Sequence, residues 1–567
     1  MARTVSIGRQ GFEDIRRSGS FYVDKTGFIR DWWQAEDDVT LMCRPRRFGK
    51  TLMLDTVRCF LSLDFAGRGE ELFGGLEVWG DPSMRALQGT VPLVHVSFAD
   101  CKGPTLEDAL ALTRSELSAA VRTHGYLLRS DAVDPVDRAF LAGVSDDMGA
   151  VVAKTCLKRL CHALLAHHGV RPVVLLDEYD TPMQEAWLQG YWEGMSSFVR
   201  GLFNSTFKTN PALGRGLITG VTRVAQESIF SDMNNPKVVT VTTPAYETSF
   251  GFTRDEVADA LDEFGLSHMM PDVEAWYDGF RFGDVAGIYN PWSITSFLDE
   301  HRIRNFWANT SSNALVGELM YVGGRSVRED FEVLLAGGTV SKRVDEKVNF
   351  RRLRRAPGAL WPLLLATGYL RVASLSDEPG SLQMELAVTN REVRACLDQL
   401  VLDWVDDGSG DYSDFVKALL AGNVRRMNVA LGDIARFCVS SFDSGVRSSE
   451  FARPERFWHG LVLGLVVELR GRYDVRSNEE SGYGRCDLML APLPAAGPDA
   501  PAIVVEFKVA GDGPVEEALS QAVADALDQI GREAYDTSLA SRGIDPSRIR
   551  HYGIAFCGTR VLVGGRV

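Results

Sequence analysis

The chain has 567 residues, of which 45% are hydrophobic and 24% charged, and its net charge at pH 7 is −15. This composition excludes a mostly disordered or fibrous protein, and at ~150 residues per domain the length predicts roughly three or four folding units. The acidic surplus also excludes a protein that coats nucleic acid with its whole surface, because such binding depends on surplus lysine and arginine.

The cysteine pattern and the apolar segments indicate the compartment. The nine cysteines include no C-x-x-C pair. Their scatter argues against a zinc ribbon or a disulfide framework and favours a reducing environment. The N-terminus lacks a long apolar segment, and the longest apolar stretches, such as 461–469, are too short to cross a membrane. The sequence therefore predicts a cytoplasmic protein without a membrane partner.

From residue 39 to about 225, short β-rich runs alternate with longer helical patterns, which is typical of a parallel sheet with crossover helices. The pattern becomes mainly helical over 311–445, where we predict a middle or lid region. After 446, a new order of elements predicts a separate α/β unit. The predicted strands are 39–43, 91–98, 173–176, 216–221, 473–478, 485–491, 502–508 and 551–557, and the predicted helices include 106–124, 149–168, 454–470 and 515–536.

The segment from Arg44 to Leu52 is predicted to be a phosphate-binding loop. Such a loop needs a strand, a turn whose backbone N–H groups face the phosphates, a lysine, a hydroxyl for Mg²⁺ and a following helix. Lys50 supplies the cation and Thr51 the Mg²⁺ ligand, while Arg44 departs from the general pattern in the place of its first glycine. The predicted nucleotide contacts are Arg44, Arg46, Arg47, Phe48, Gly49, Lys50, Thr51 and Leu52.

A second acidic motif ends the predicted strand at 173–176. There Asp177 and Glu178 follow four apolar residues, which puts two carboxylates at the C-terminal edge of the strand. In P-loop enzymes the aspartate holds Mg²⁺ and the glutamate orients or deprotonates the attacking water. Thr219, in another strand, is predicted to sense the γ-phosphate. Candidate arginine fingers, each equally an ordinary surface or salt-bridging arginine, are Arg200, Arg215 and Arg223.

Eight short segments carry a family resemblance, and they are Tyr22–Thr26, Arg44–Thr51, Leu176–Pro182, Ile218–Arg223, Ile229–Asn235, Gly251–Thr253, Tyr277–Arg281 and Tyr289–Ser293. Together they resemble the predicted AAA-ATPase-like family of bacteria over nearly all of residues 5–310, where the arginine-rich loop is the usual form. The resemblance implies an ATP-binding P-loop domain over 1–310. No role follows for Asn234–Asn235 or Tyr289–Trp292, which we expect to form turns or to pack in the core.

Three residues near the C-terminus form a second candidate site. A metal-dependent phosphodiesterase needs clustered carboxylates for Mg²⁺ and a lysine near the scissile phosphate. Glu506 and Lys508 project from one face of a predicted strand because side chains alternate, and Asp487 lies on a neighbouring strand. Taken alone, this pattern also describes a surface Glu-Lys pair on an amphipathic strand.

The same residues resemble the PD-(D/E)XK nuclease superfamily over about 450–567, which implies a restriction-endonuclease-like α/β domain over 446–567. The resemblance makes Asp487, Glu506 and the Phe507 carbonyl metal ligands, and it makes Lys508 the catalytic lysine. Further residues that match the superfamily pattern are Glu455 on the first helix, and Gln529 and Tyr535 on the predicted helix 515–536 that follows the core strands. His459 lies on an apolar helix and is expected to be packed rather than to bind metal.

The leading prediction is an ATP-hydrolysing protein coupled to a Mg²⁺-dependent nuclease that acts on DNA in preference to RNA. The alternative is a nucleotide-controlled switch whose nuclease fold binds nucleic acid or a partner without cleaving, and a third reading is a transposon-linked or defence protein. ATP and Mg²⁺ are the implied cofactors. The sequence leaves open whether the protein forms a homo-oligomer. Nucleic-acid contact is most expected at the basic run Lys342–Arg355, which a solvated helix face or loop also explains.

Overall fold

The computed structural model describes residues 3–224, 235–307, 324–348, 350–353, 357–375, 383–398, 411–438, 462, 465–466, 469, 471–481, 484–497, 500–511, 514–557 and 560–566. The chain divides into two compact units: Met1–Gly324 with Thr339–Leu397, and Arg325–Gly338 with Asp398–Val567. None of the described helices is both long and apolar enough to cross a bilayer.

Helices and strands alternate through the first unit. Its helices up to residue 300 are α1 (Phe12–Ser18), α2 (Gly27–Gln34), α3 (Lys50–Leu61), α4 (Gly69–Phe73), α5 (Pro82–Leu87), α6 (Leu106–Thr123), α7 (Pro135–Ala142), α8 (Ala150–His168), α9 (Thr181–Leu188), α10 (Trp192–Phe203), α11 (Arg254–Glu263), α12 (Met270–Tyr277) and α13 (Pro291–Glu300). Its strands over the same range are β1 (Val39–Cys43), β2 (Leu93–Ser97), β3 (Val173–Asp177), β4 (Arg215–Gly220), β5 (Arg223–Val224), β6 (Pro236–Val239), β7 (Phe280–Phe282) and β8 (Val285–Ile288).

Five parallel strands form the central sheet of this unit, in the order β2-β3-β4-β1-β6. β1 and β3 are buried along their whole length, which explains why their sequences are continuous rather than alternating apolar runs. The register pairs Met42 with Thr219 and Ser97 with Asp177. Because the carboxyl ends of parallel strands meet at one edge, the phosphate loop, Asp177 and Thr219 share that edge. The predicted parallel sheet with flanking helices is confirmed.

The middle region is mainly helical, as predicted, and it also contains a small antiparallel sheet in which Gln383–Val388 lies between Leu370–Leu375 and Val340–Arg343. Of its basic run, Lys342 and Arg343 end the strand Val340–Arg343 and Lys347 begins the next strand, whereas Arg354 and Arg355 lie outside the described residues. The region is shared between the two units, and the predicted domain boundaries at 310 and 445 stay predictions. Its elements are the helices Gly324–Leu335, Phe350–Leu353, Leu360–Thr367, Asp411–Ala421 and Val424–Cys438, helical residues 391–398, and β9 (Val340–Arg343), β10 (Lys347–Val348), β11 (Leu370–Leu375) and β12 (Gln383–Val388).

The second unit is built on a mixed sheet of β13 (Tyr473–Ser481), β14 (Gly484–Pro492), β15 (Ala502–Val509), β16 (Ile549–Cys557) and β17 (Arg560–Arg566), in that order. β15 and β16 are parallel and the other pairs antiparallel. The helix Val515–Arg532 packs against β15, β16 and β17, and Asp536–Ser541 follows it. This confirms the predicted restriction-endonuclease-like α/β fold. β17 was not predicted, because its two glycines weaken the strand signal.

Some predictions fall outside the part of the chain that the structure describes. Of the predicted helix 454–470, only 462, 465–466 and 469 are described, so Glu455 and His459 stay predictions. Asn234 is likewise outside the described residues, whereas the neighbouring Asn235 donates to the carbonyl of Phe207.

Candidate functional site

The phosphate loop connects β1 to α3 and carries a buried lysine. Gly49 has φ 76°, and a Cβ added there would meet nothing within 4 Å, so the loop is open at this point. The Lys50 ammonium donates to the carbonyls of Arg44 (3.0 Å) and Pro45 (2.8 Å), and Lys50 is only 7% exposed. Burial lowers its pKa, against the charges of Asp177 and Glu178. A buried ammonium held only by carbonyls favours an anionic ligand at the loop.

Asp177 joins three segments at the same edge of the sheet. Its Oδ2 accepts from the Thr51 hydroxyl (2.7 Å), and its Oδ1 accepts from the Thr219 hydroxyl (2.5 Å) and from the Glu178 N–H (3.0 Å). Glu178 has φ 50°, and its Oε2 accepts from the Thr181 hydroxyl (2.9 Å). The structure thus brings together the predicted Mg²⁺ ligands Thr51 and Asp177 with Thr219. A hydroxyl and a carboxylate are oxygen donors of the kind that Mg²⁺ binds.

The side chains of Arg44 and Phe48 are buried away from this edge, and their predicted contact with the nucleotide stays a prediction. Arg44 is fully buried, and its guanidinium donates to the carbonyls of Thr240 (2.6 Å), Ala245 (3.2 Å) and Tyr246 (3.4 Å). Burial lowers its pKa to about 10. Phe48 packs edge-on against Phe280 and Phe282. In the general motif, the residue at position 44 is a glycine. Here the buried side chains of Arg44 and Phe48 fix the loop to the residues packed around them.

Two residues that sequence reasoning missed extend the site. Asp180 is 1% exposed and accepts from the backbone N–H groups of Val221 and Thr222, from the Thr222 hydroxyl and from the Gln184 amide. Gln184 in turn accepts from the Arg46 guanidinium at 3.1 Å. The acidic motif already contained Asp180, but only the fold shows that this carboxylate ties β3 to the end of β4.

The three candidate arginine fingers lie in different places. Arg215 begins β4 at the edge opposite to the phosphate loop, where it donates to the carbonyls of Trp32 and Trp33 and stacks on the Trp33 ring at 4.3 Å. Arg200 lies in α10 and Arg223 in β5, just after β4. The position of Arg215 removes it from the nucleotide site of its own chain.

In the second unit, β14 and β15 bring the predicted catalytic residues together. Asp487 Oδ2 accepts from the Phe507 N–H at 2.9 Å, which fixes the carboxylate beside β15. Glu506 Oε1 accepts from the Lys508 ammonium (3.2 Å) and from the Gln529 amide (2.5 Å). The same Gln529 amide lies 3.1 Å from the Tyr535 hydroxyl. The Phe507 side chain packs in the core, and the ligand role of its carbonyl stays a prediction.

Glu506 has the chemistry of a cation ligand. It is 3% exposed, and burial, followed by the charge of Asp487, raises its pKa to about 7. Its Oε2 is buried without a hydrogen-bond partner in the described part of the chain. Two neighbouring carboxylates, one with an unpaired buried oxygen, fit a divalent cation. The described residues contain no cluster of three or more His, Cys, Asp or Glu side chains, and Glu455, the predicted third carboxylate, is not among them.

The raised pKa of Glu506 predicts how the metal-free protein responds to pH. The folded state binds this proton more tightly than the unfolded state, so its stabilisation is complete below about pH 4.5 and is lost as the pH rises through about 7. In EDTA, we expect the free energy of unfolding of the second unit to fall by up to about 3 kcal/mol across this window. Denaturant unfolding of wild type and Glu506→Gln at several pH values measures the difference.

The control for this experiment is Glu516→Gln, which changes an exposed glutamate in the helix of the same unit. It is expected to keep the pH dependence of wild type, whereas Glu506→Gln flattens it. Identical pH profiles of Glu506→Gln and wild type would contradict the assignment.

Comparison with known proteins matches the two sites to two families. Residues 6–230 match the family described as Predicted AAA-ATPase, and residues 453–565 match the PD-(D/E)XK nuclease superfamily. The chain carries an AAA-ATPase-like domain and a PD-(D/E)XK nuclease superfamily domain. The AAA-ATPase-like match covers the phosphate loop, Asp177 and Thr219, and the nuclease-superfamily match covers Asp487 through Gln529. Both resemblances stated from the sequence are therefore confirmed, the first of them over 6–230, whereas its predicted extension to about 310 stays a prediction.

A relative of similar length aligns with most of this chain. A protein of Azotobacter chroococcum mcd 1, named "Uncharacterized protein in vnfD 5'region", is 25% identical over 535 residues. The alignment covers 92% of this chain and 92% of that protein. The similarity therefore covers the region between the two domains and reaches into both of them.

Proposed function

We propose that this protein binds and hydrolyses ATP in its N-terminal domain and, under control of that reaction, cleaves nucleic-acid phosphodiester bonds in its C-terminal domain with Mg²⁺, in the cytoplasm. The observation that carries the nuclease proposal is Glu506, whose buried, unpaired oxygen lies in a group with Asp487, Lys508 and Gln529. The bonds from Thr51 and Thr219 to Asp177 support the ATPase proposal in the same way.

At the ATPase site, each residue has a definite task. Lys50 exchanges the carbonyls of Arg44 and Pro45 for the β/γ-phosphate oxygens, while Thr51 and Asp177 hold Mg²⁺. Mg²⁺ held by these two residues would supply positive charge to balance the charge that develops on the phosphates. Glu178 orients or deprotonates the attacking water, and its backbone conformation and its bond from Thr181 fix the carboxylate for this role.

At the nuclease site, Asp487 and Glu506 hold Mg²⁺, with the Phe507 carbonyl and Glu455 as expected further ligands. The metal supplies an activated water and a counter-charge for the phosphate. Lys508 orients the water or stabilises the charge that builds on the phosphate oxygens. Gln529 fixes the Glu506 carboxylate through its bond to Oε1, so that Oε2 stays available to the metal. We expect DNA rather than RNA as the substrate.

The full chain, incubated with plasmid, linear, single-stranded DNA and RNA, tests this proposal. Each substrate is compared with and without Mg²⁺, and with ATP, ADP or no nucleotide. We expect cleavage that needs Mg²⁺, stops in EDTA and changes in rate or specificity with ATP. Nucleotide-dependent binding without cleavage of any substrate would instead support a switch with a non-cleaving nuclease fold. Cleavage at one rate in all nucleotide states would contradict the control by ATP.

A further inference from the structure

The sequence patterns assign no role to the segment Tyr289–Ser293. In the fold, this segment contacts the phosphate loop. Asn290 is 1% exposed and is the N-cap residue of α13, where its Oδ1 accepts from the N–H groups of Trp292 (2.9 Å) and Ser293 (3.3 Å). Its Nδ2 donates to the carbonyl of Arg46 at 3.3 Å. One amide side chain therefore caps a helix and anchors the phosphate loop.

Trp292 contacts the next residue of the loop. The guanidinium of Arg47 lies over the indole ring at 4.3 Å, and its backbone has φ 66°, which is rare for a residue with a side chain. Arg47 is exposed, and no hydrogen bond or ion pair joins its guanidinium to another described residue. A guanidinium that stacks on an aromatic face keeps its N–H groups directed outward in its own plane. Those N–H groups suit the oxygens of a phosphate.

The first turn of α13 is also fixed from its other side. The Ser293 hydroxyl donates to Glu392 Oε2 at 2.7 Å. Glu392 is 1% exposed, and its Oε1 accepts from the N–H groups of Phe306 (2.7 Å) and Trp307 (2.9 Å). Because a buried carboxylate with three donors is costly to move, this turn is a rigid support for the loop.

We propose that Asn290 and Trp292 are positioning residues of the nucleotide site: Asn290 fixes the loop at Arg46, and Trp292 presents the Arg47 guanidinium to the polyphosphate of ATP. This inference rests on the proposed ATPase function. It gives each arginine of the loop a different role. Arg44 fixes the loop from the protein interior, Arg46 is bonded to Gln184, and Arg47 binds the phosphates.

Steady-state hydrolysis of ATP and titration with mant-ATP, both on the full chain, test the role of Trp292. Arg47→Ala is expected to lower kcat/KM about tenfold to a hundredfold, because a charge-assisted contact is lost. Trp292→Leu is expected to lower it about twofold to fivefold, as for an exposed cation–π contact, and Trp292→Phe to restore most of the loss. Since Trp292 acts through Arg47, the double variant should be no worse than Arg47→Ala alone.

The chain offers a matched control in Trp33, which holds Arg215 at the same 4.3 Å on the opposite edge of the sheet. Trp33→Leu is expected to leave kcat/KM unchanged. An equal loss in Trp33→Leu and Trp292→Leu, or additive losses in the double variant, would overturn the role of Trp292.

Asn290→Ser tests the anchor of the loop. Serine keeps a good helix cap but is too short to reach the Arg46 carbonyl, so we expect the thermal unfolding temperature to stay near wild type while kcat/KM falls about twofold to tenfold. Wild-type hydrolysis by both Asn290→Ser and Trp292→Leu, with loss of hydrolysis in Lys50→Ala, overturns this inference and leaves the ATPase standing. Absence of ATP binding in wild type overturns the ATPase itself.

Discussion

Lys508→Ala is expected to lower Mg²⁺-dependent cleavage at least about a hundredfold while ATP hydrolysis continues at the wild-type rate. The ammonium lies beside the buried Glu506 and is itself 30% exposed, so it can face both the metal ligand and a phosphate. Asp487→Asn and Glu506→Gln should abolish cleavage as well, because an amide keeps the shape of the carboxylate but loses the charge that binds a divalent ion.

Cleavage assays at two pH values separate two effects of Lys508→Ala, which are the loss of its own chemistry and a change in the protonation of Glu506. The charge of Lys508 lowers the pKa of Glu506, so the variant carries more protonated Glu506 at neutral pH. Cleavage is therefore measured at pH 7 and pH 8.5, and the defect that persists at the higher pH belongs to the chemistry of Lys508. Lys417→Ala, an exposed lysine of the same unit, is the control and should cleave as wild type. Survival of cleavage in all three active-site variants would indicate a contaminating nuclease or another active site.

Lys50→Ala and Glu178→Gln are expected to separate nucleotide binding from turnover. Lys50→Ala removes the buried cation and should weaken mant-ATP binding about tenfold to a hundredfold, with loss of hydrolysis. Glu178→Gln keeps the size of the side chain but not its basicity, so binding should persist while kcat falls about a hundredfold or more.

Equilibrium titration with mant-ATP and phosphate release by the same preparations measure the two quantities. Lys102→Ala changes an exposed lysine of the same unit and should match wild type in both. Hydrolysis of ATP by Lys50→Ala at the wild-type rate would remove the phosphate loop from the proposed mechanism.

Local patterns predicted the sheet edge and both sets of carboxylates, because the relevant signals lie within a few residues of each other. The four apolar residues before Asp177 mark a buried strand and its end, and the alternation of Glu506 and Lys508 marks one face of a strand. The register of β1, β3 and β4 then brings Thr51, Asp177 and Thr219 together without further information.

The tasks of the loop arginines could not be predicted, because their partners are distant in the sequence. Arg44 donates to carbonyls 196 to 202 residues further along the chain, and Asn290 reaches the Arg46 carbonyl across 244 residues. The raised pKa of Glu506 has the same origin, since it depends on burial by elements that meet only in the fold. Sequence patterns therefore predicted which residues the fold brings together, whereas packing decides what several of them contact.

The interleaving of the two compact units bears on how such a chain is inherited. The chain passes between the units three times, at residues 324–325, 338–339 and 397–398. If two separate genes had simply been fused, the chain would pass between the units only once. One recombination breakpoint at that point could then exchange a whole unit. Here no single breakpoint transfers a complete unit, because one placed after residue 398 carries the whole nuclease-superfamily match, 453–565, but leaves Arg325–Gly338 behind. We therefore expect such an exchange to move the second site while depriving its unit of part of its packing.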